Sequence, residues 1–291
     1  MNIDNYRFTG KEKFSFEDFN TKGKCKIPDK ERLIQKEKGH ILKMMDFQDR
    51  FYADGNESLL IIFQAMDAGG KDGAIKHVMS GMNPQGIDVT NFKQPSTEEL
   101  AHDFLWRAVK VLPRKGKIGI FNRSYYEDVL VGKVHELYKS QNFPERCKTK
   151  DVIKQRYEQI VNFEKYLWEN GMRLVKFFLC ISKEEQKKRF LSRIDDSAKN
   201  WKFSESDLKE RGYWDEYMKA YQDAINFTAK EHAAWYVIPS DKKWLARFLI
   251  SEAILKIFED INPQYPEFPN EKKDKLFVYK ECLLAEKINK K

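Results

Sequence analysis

The chain has 291 residues, of which 41% are apolar, 34% charged and 14% aromatic, with 21 Phe, 13 Tyr and 6 Trp. That balance excludes a disordered polymer and a mini-protein needing staples, because it supplies enough apolar surface for a sizeable core. Lysine and arginine number 53 against 45 aspartates and glutamates, a net charge of +8, which suits either an anionic partner or a lysine-rich solvated surface and says nothing of fold.

Residues 1–28 are polar with isolated aromatics, Tyr6, Phe8, Phe14, Phe16 and Phe19, and read as an irregular arm pinned onto the body. Charges break up this start, so no signal-peptide apolar stretch is expected. From Asp29 to Tyr52 the apolar positions Leu33, Ile41, Leu42, Met45, Phe47 and Phe51 predict a helix with Asp29 as N-cap, broken by Gly55. Ser58–Phe63 (SLLIIF) is a continuous apolar run between turn signals, as in a strand buried on both faces of a parallel sheet. Ile87–Val89, Lys117–Phe121, Leu174–Ile181 and Trp235–Ile238 repeat the theme, with helical patterns at 71–80, 97–110, 124–139, 150–169 and 241–260. Strands alternating with helices predict an α/β fold with a mainly parallel sheet covered on both faces, one domain over residues 29–262.

The highly charged segment 183–232 is helical in period and reads as a mobile helical insertion over the sheet's edge. PQYPEFP at 263–269 ends the globular part, and 263–291 reads as a C-terminal tail, Lys-rich over 270–291. No run reaches the roughly 18 apolar residues of a membrane span, and Cys25, Cys147, Cys180 and Cys282 form no CxxC pair. Free thiols in a cytoplasmic protein that does not engage a membrane are the expectation.

Directly after SLLIIF comes QAMDAGGKDGAIKHVM, residues 64–79: strand, Gly-rich loop, helix. Against the pattern GxxxxGK[ST], Gly70 and Lys71 fit, whereas Ala65 replaces the first glycine and Asp72 the hydroxyl residue. Ala68, Gly69, Gly70, Lys71, Asp72 and Gly73 are therefore candidates for a phosphate cradle, in which backbone N–H groups, a helix N-terminus and one lysine meet phosphate oxygens. An acid beside bound phosphate would repel it, so Asp67 points to a metal ligand or a general base.

The strand KIGIF runs into Asn122-Arg123-Ser124-Tyr125-Tyr126-Glu127-Asp128, and strand carboxyl ends in such sheets share one crevice. Arg123 and two acids converge there, although Glu127 and Asp128 also suit a helix's first turn. In the charged insertion, Lys183, Lys187, Lys188, Arg189 and Arg193 cluster at helical spacing. They read either as a clamp on transferred phosphate or as a solvated face. Segment 92–107 adds Lys93, His102 and Arg107.

At QAMDAGGKDG, FKQPSTEELAHDFLWR, IFNRSYYEDVLV, KKRFLSRIDD and the downstream WDEY the sequence resembles the polyphosphate kinase 2 family, over roughly residues 30–260. The resemblance implies a P-loop-kinase-like three-layer α/β/α sandwich with a helical lid, and Mg²⁺-dependent (or Mn²⁺-dependent) phosphoryl transfer between inorganic polyphosphate and a nucleotide. Asp67 matches the family's loop aspartate, Lys71 its phosphate lysine, Arg123 the arginine after the second strand, and Arg189 and Arg193 its lid arginines. Asn122, Arg123, Tyr126 and Glu127 are implied at the nucleotide, Lys93, Arg107 and Lys187 along the polyphosphate, and Asp67 with Asp128 at the metal. Asn122 stands where many members carry Asp, as in the subgroup accepting both nucleoside mono- and diphosphates, so AMP and ADP are the implied acceptors, with guanine nucleotides as further ones. A homo-oligomer (dimer or tetramer) that binds no nucleic acid is also implied. An ATP-dependent kinase of the same fold, or a basic nucleic-acid-binding module, is the alternative.

Overall fold

The computed structural model describes residues 2–23, 27–141, 143–147, 149 and 151–286. Cys25 and the end of the Lys-rich tail lie outside the described residues, while Cys147, Cys180 and Cys282 are free thiols. A turn of 3-10 helix at Ile3–Tyr6 leads into β1 (Arg7–Phe8). The first long helix, α1 (Lys30–Asp54), starts where Asp29 accepts from the N–H groups of Glu31 and Arg32 and stops at Gly55 in the left-handed conformation, as the sequence predicts. There follow β2 (Ser58–Gln64), α2 (Lys71–Val78), β3 (Ile87–Asn91), α3 (Thr97–Leu100), α4 (Trp106–Val109), β4 (Ile118–Asn122), α5 (Val131–Val134) and α6 (Val152–Glu169). The chain continues with β5 (Met172–Cys180), α7 (Lys183–Asp195), α8 (Glu205–Gly212), α9 (Trp214–Thr228), β6 (Trp235–Pro239), α10 (Lys243–Ile261) and α11 (Asn270–Ala285).

The strands form one sheet in the order β1-β6-β5-β2-β4-β3, parallel except for β1 against β6. Every residue of β2 is buried, and strand alternation sends its side chains to two cores. Leu59, Ile61 and Phe63 pack under α1, α2 and α10, while Leu60 and Ile62 face α6 and α9. Each such side chain contributes about 1.5–3 kcal/mol by leaving water. The result is the α/β/α sandwich. Among the described residues no helix is long and apolar enough to cross a membrane.

Three predicted helices differ from the observed chain. Residues 97–110 are two short helices, because Asp103 accepts from the N–H groups of Leu105 and Trp106 and restarts the turn. Residues 124–139 break into a 3-10 turn (Tyr125–Asp128), α5 and a second 3-10 turn (Leu137–Ser140). Adjacent Tyr125 and Tyr126 are both fully buried with their hydroxyls donating to one carboxylate oxygen, Glu164 Oε1, at 3.0 and 2.9 Å. The segment 183–232 divides too: α9 buries Trp214, Tyr217, Tyr221 and Ile225 in the sandwich and is no insertion over an edge. The apolar stripe sits at i, i+3, i+7 and i+11 within a composition whose average is charged. The tail contains α11, along which Leu276, Phe277, Val278, Tyr279, Leu283 and Leu284 are exposed.

One ion pair is sealed inside. Lys176 in β5 and Glu164 in α6 meet at 2.5 Å with almost no exposure, and Lys176 Nζ also donates to Tyr126 Oη at 3.0 Å and the Thr228 carbonyl at 3.1 Å. Removing one partner strands the other's charge away from water. Lys176→Met should therefore lower unfolding free energy by about 3–5 kcal/mol, read from denaturant unfolding; a loss near that of an exposed pair would show the site is hydrated.

Candidate active site

The sheet order reverses between β2 and β4, since β2 sends the chain across β4 to β3 while β4 sends it back across β2 to β5. A crevice at their carboxyl ends follows, and the Gly-rich loop lies there. Gly69 cannot carry a side chain, since a Cβ would sit 2.5 Å from the Ala65 Cβ and 2.7 Å from the Met66 carbonyl oxygen. Gly70, at φ +102°, is the N-cap of α2 in a conformation that favours glycine. Gly73 has no such demand, as a Cβ there meets nothing. Of the four described non-glycine residues with positive φ, two lie here, Ala68 at 58° and Arg123 at 64°, the others being Glu136 and Asn262; backbone strain of this kind is often found at functional sites.

The loop is held from behind by α7. Gln186 Nε2 donates to the Asp67 carbonyl at 2.9 Å, and Arg189 Nη1 to the carbonyls of Ala68 and Gly69 at 3.0 Å each. Arg189 Nη2 reaches the Ser240 carbonyl at 2.5 Å and its Nε the Glu185 carboxylate at 2.8 Å. In a trans peptide C=O and N–H point opposite ways, so the N–H groups of Ala68 and Gly70 face away from α7. No side chain caps the first turn of α2. Such a concavity of free N–H groups has the geometry that suits an anion. Arg189 thus departs from the expected lid arginine: only 9% exposed, it is engaged with loop backbone.

Charged groups of both signs surround that concavity. Lys71 is 9% exposed and its Nζ donates to the Ala65 carbonyl at 3.0 Å. Burial first, and Arg123 second, push its pKa down to about 8. Arg123 Nη2 donates to Asp67 Oδ1 at 2.9 Å, and its Nη1 lies 3.8 Å from Glu127 Oε2. Glu127 holds the guanidinium's pKa above its ordinary value, and burial raises that of Glu127 despite Arg123 and Lys71. Fully buried Gln64, oriented to satisfy both ends of its amide, donates to Glu127 Oε1 at 2.9 Å and accepts from the Ser124 N–H at 3.1 Å. Asn122 Nδ2 donates to Asp72 Oδ1 at 2.9 Å and to Asn91 Oδ1 at 2.8 Å, joining the ends of β3 and β4 to the start of α2.

The structure thus brings together Asp67, Ala68, Gly69, Gly70, Lys71, Asp72, Asn122, Arg123 and Glu127. It separates others. Tyr126 is fully buried against Glu164 and Lys176, so its hydroxyl does not face a nucleotide. Asp128 is turned to Arg156 Nη1 at 2.5 Å rather than to the Asp67–Arg123–Glu127 group. Arg193 donates to the Lys202 carbonyl at 3.2 Å and lies 3.5 Å from Asp207, bracing the turn before α8. Arg107 packs 5.1 Å over the Phe92 ring and donates to the Lys93 carbonyl, leaving the Lys93 side chain exposed; Lys187 is exposed on α7. Gln64 and Gln186 were not legible as site residues. Gln186 had a signal, lying one turn before Arg189 on the same helix face.

Among the described residues no group of three or more His, Cys, Asp or Glu could hold a metal alone. One carboxylate sharing a hard cation with substrate phosphates is the arrangement Mg²⁺ favours, and it fits here: Asp67 is one-quarter exposed, with Oδ1 on Arg123 and Oδ2 open for a cation.

Residues 28–266 match the family model described as polyphosphate kinase 2. An ADP-polyphosphate phosphotransferase of Rhodopseudomonas palustris is 48% identical over 244 residues, covering 83% of this chain and 84% of that one. An AMP/ADP-polyphosphate phosphotransferase of Meiothermus ruber is 43% identical over 236 residues, 81% of this chain and 84% of its own. The crystal structure of polyphosphate kinase 2 from Arthrobacter aurescens superposes with a TM-score of 0.83 at 37% identity, over 91% of this chain and 93% of that one. With the loop, the facing arginine and the sandwich that carries them, these likenesses show that the chain belongs to the polyphosphate kinase 2 family.

Proposed function

We propose that the chain is a polyphosphate:nucleotide phosphotransferase that moves the terminal phosphoryl group of inorganic polyphosphate to AMP and ADP, and back. The observation that carries this reading is the loop whose carbonyls are drawn to α7 while its N–H groups, Lys71 and Arg123 face a shared crevice. The names of the relatives from Rhodopseudomonas palustris and Meiothermus ruber support the same substrates. Guanine nucleotides as further acceptors, a homo-oligomeric state and a cytoplasmic setting belong to this reading on the family resemblance.

Phosphoryl transfer leaves little covalent work for the protein, so positioning and charge compensation dominate. Lys71 and the N–H groups of Ala68 and Gly70 bind phosphate oxygens, and protonated Lys71 offsets charge as the bond breaks. Arg123, oriented by Asp67 and Glu127, spans the gap between the loop and the acceptor. Asn122 and Glu127 line the acceptor side; Lys93, Arg107 and Lys187 line the path of the polyanion. A bound divalent cation, Mg²⁺ in this reading with Mn²⁺ as substitute, supplies charge neutralisation on phosphate oxygens, and Asp67 holds it.

Activity with polyphosphate as sole donor tests the reading; turnover with ATP alone would favour an ATP-dependent kinase. Lys71 must be protonated to bind phosphate, and its depressed pKa lies near 8. Below that value the ammonium is present; above it, it is lost. The kcat/KM for polyphosphate should therefore fall as pH rises through about 8, while kcat at saturation should hold to higher pH because bound phosphate favours the ammonium. Lys71→Ala should cost about 100-fold or more in kcat and flatten the alkaline limb.

Asp67→Asn keeps shape and loses charge, so the Mg²⁺ concentration for half-maximal rate should rise about tenfold or more. An unchanged Mg²⁺ titration would make Asp67 solely an orienter of Arg123. Because a polyanion releases counterions on binding, its KM should rise more steeply with monovalent salt than the KM for ADP. Lys93→Glu should flatten the polyphosphate slope alone; equal slopes in the unaltered enzyme would remove the extended basic path.

A further inference from the structure

The family match begins at residue 28, so the N-terminal arm lies outside it. The arm nevertheless reaches the element that holds the phosphate loop. Thr21 Oγ1 donates to Asp241 Oδ2 at 2.8 Å, and the Asp241 N–H donates back to the Thr21 carbonyl at 3.2 Å. The other carboxylate oxygen, Asp241 Oδ1, accepts from the Ser182 N–H at 2.8 Å. Ser182 is the N-cap of α7, its Oγ accepting from the Glu185 N–H at 3.1 Å. Ser240, next to Asp241, accepts Arg189 Nη2 on its carbonyl and is itself pinned by its N–H to the Cys180 carbonyl at 2.8 Å.

Both oxygens of one carboxylate are thus committed, one to the arm and one to the first turn of the helix that clamps the loop. We propose that Thr21 is a positioning residue for phosphoryl transfer: by fixing Asp241 it sets the start of α7 and the Ser240 carbonyl, and through Arg189 and Gln186 the carbonyls of Asp67, Ala68 and Gly69. The proposal rests on the loop being the phosphate site of the reaction described above. Attachment of the arm does not depend on this hydroxyl. The Asn226 side chain pairs with both the N–H and carbonyl of Phe14 at 2.7 and 3.0 Å, Gln222 accepts from the Phe16 N–H at 3.1 Å, and Ile3, Tyr6 and Phe14 are buried. Anchoring and positioning can therefore be separated by experiment.

Thr21→Val keeps the shape and deletes the donor; Thr21→Ser keeps the donor. The full chain and both variants are compared in kcat, both Michaelis constants, melting temperature and hydrogen exchange at the Ser182 amide. A misplaced loop reduces rate more than ground-state binding, so Thr21→Val is expected to lower kcat by about tenfold with the KM for ADP within about twofold. Its melting temperature should stay close to that of the unaltered chain, Ser182 exchange should quicken, and Thr21→Ser should restore both rate and protection. Unchanged kcat and Ser182 exchange in Thr21→Val, or a rate loss that only follows a lowered melting temperature, would overturn the proposal. Absence of polyphosphate-dependent transfer in the unaltered chain would instead overturn the reaction assignment, while Ser182 exchange would still report whether Thr21 governs α7.

Discussion

Backbone carbonyls carry lone pairs that must be satisfied wherever a chain turns sharply inside a protein. The loop after β2 makes such a turn, and the carbonyls of Asp67, Ala68 and Gly69 find their donors on α7, in Gln186 and Arg189. Hydrogen bonds from a guanidinium are worth about 1.5–3 kcal/mol each, more than neutral ones. Enclosure keeps water from competing for Arg189. The proposed anion site is the other side of this arrangement: carbonyls pulled one way turn N–H groups the other. Gly69 is required because a Cβ would strike Ala65 and the Met66 carbonyl, and Gly70 because its φ of +102° disfavours any side chain.

This dependence joins parts of the chain that are far apart in sequence. The clamp needs α7 at the right height, which Ser182 and Asp241 set, and it needs the Ser240 carbonyl at the end of β6. Its partner across the crevice, Arg123, sits on a turn anchored to α6 and β5, where Tyr125 and Tyr126 share Glu164 with Lys176. Two buried polar assemblies thus hold the loop and the arginine that faces it.

The electrostatics of the crevice follow from crowding unlike charges while excluding much of the solvent. Lys71 is discouraged from charging by burial and by Arg123, and Glu127 by burial. Bound phosphate would add its countercharge at Lys71 to that of Asp67, Glu127 and Asp72, and so favour the ammonium further.

What the sequence determined by itself was local or periodic. Asp29 before a charged first turn, SLLIIF between turn signals, and the Gly-Gly-Lys loop between a strand and a helix each carry their physics within a few neighbouring residues. These were enough for the layered α/β architecture, for naming Asp67, Lys71 and Arg123 as candidates that the fold brings together, and, with the motif spacing, for the family. Tertiary structure alone decided where long polar side chains turn. Arg189 and Lys187 lie two residues apart in one charged run, yet one is enclosed against loop carbonyls and the other solvated. Asp128 and Asp67 are both acids near a strand end, yet one answers Arg156 and the other Arg123. Charge patterns report that such residues prefer water. Only the packed chain decides which of them are removed from water, because that requires partners supplied by distant segments to offset the cost of dehydration.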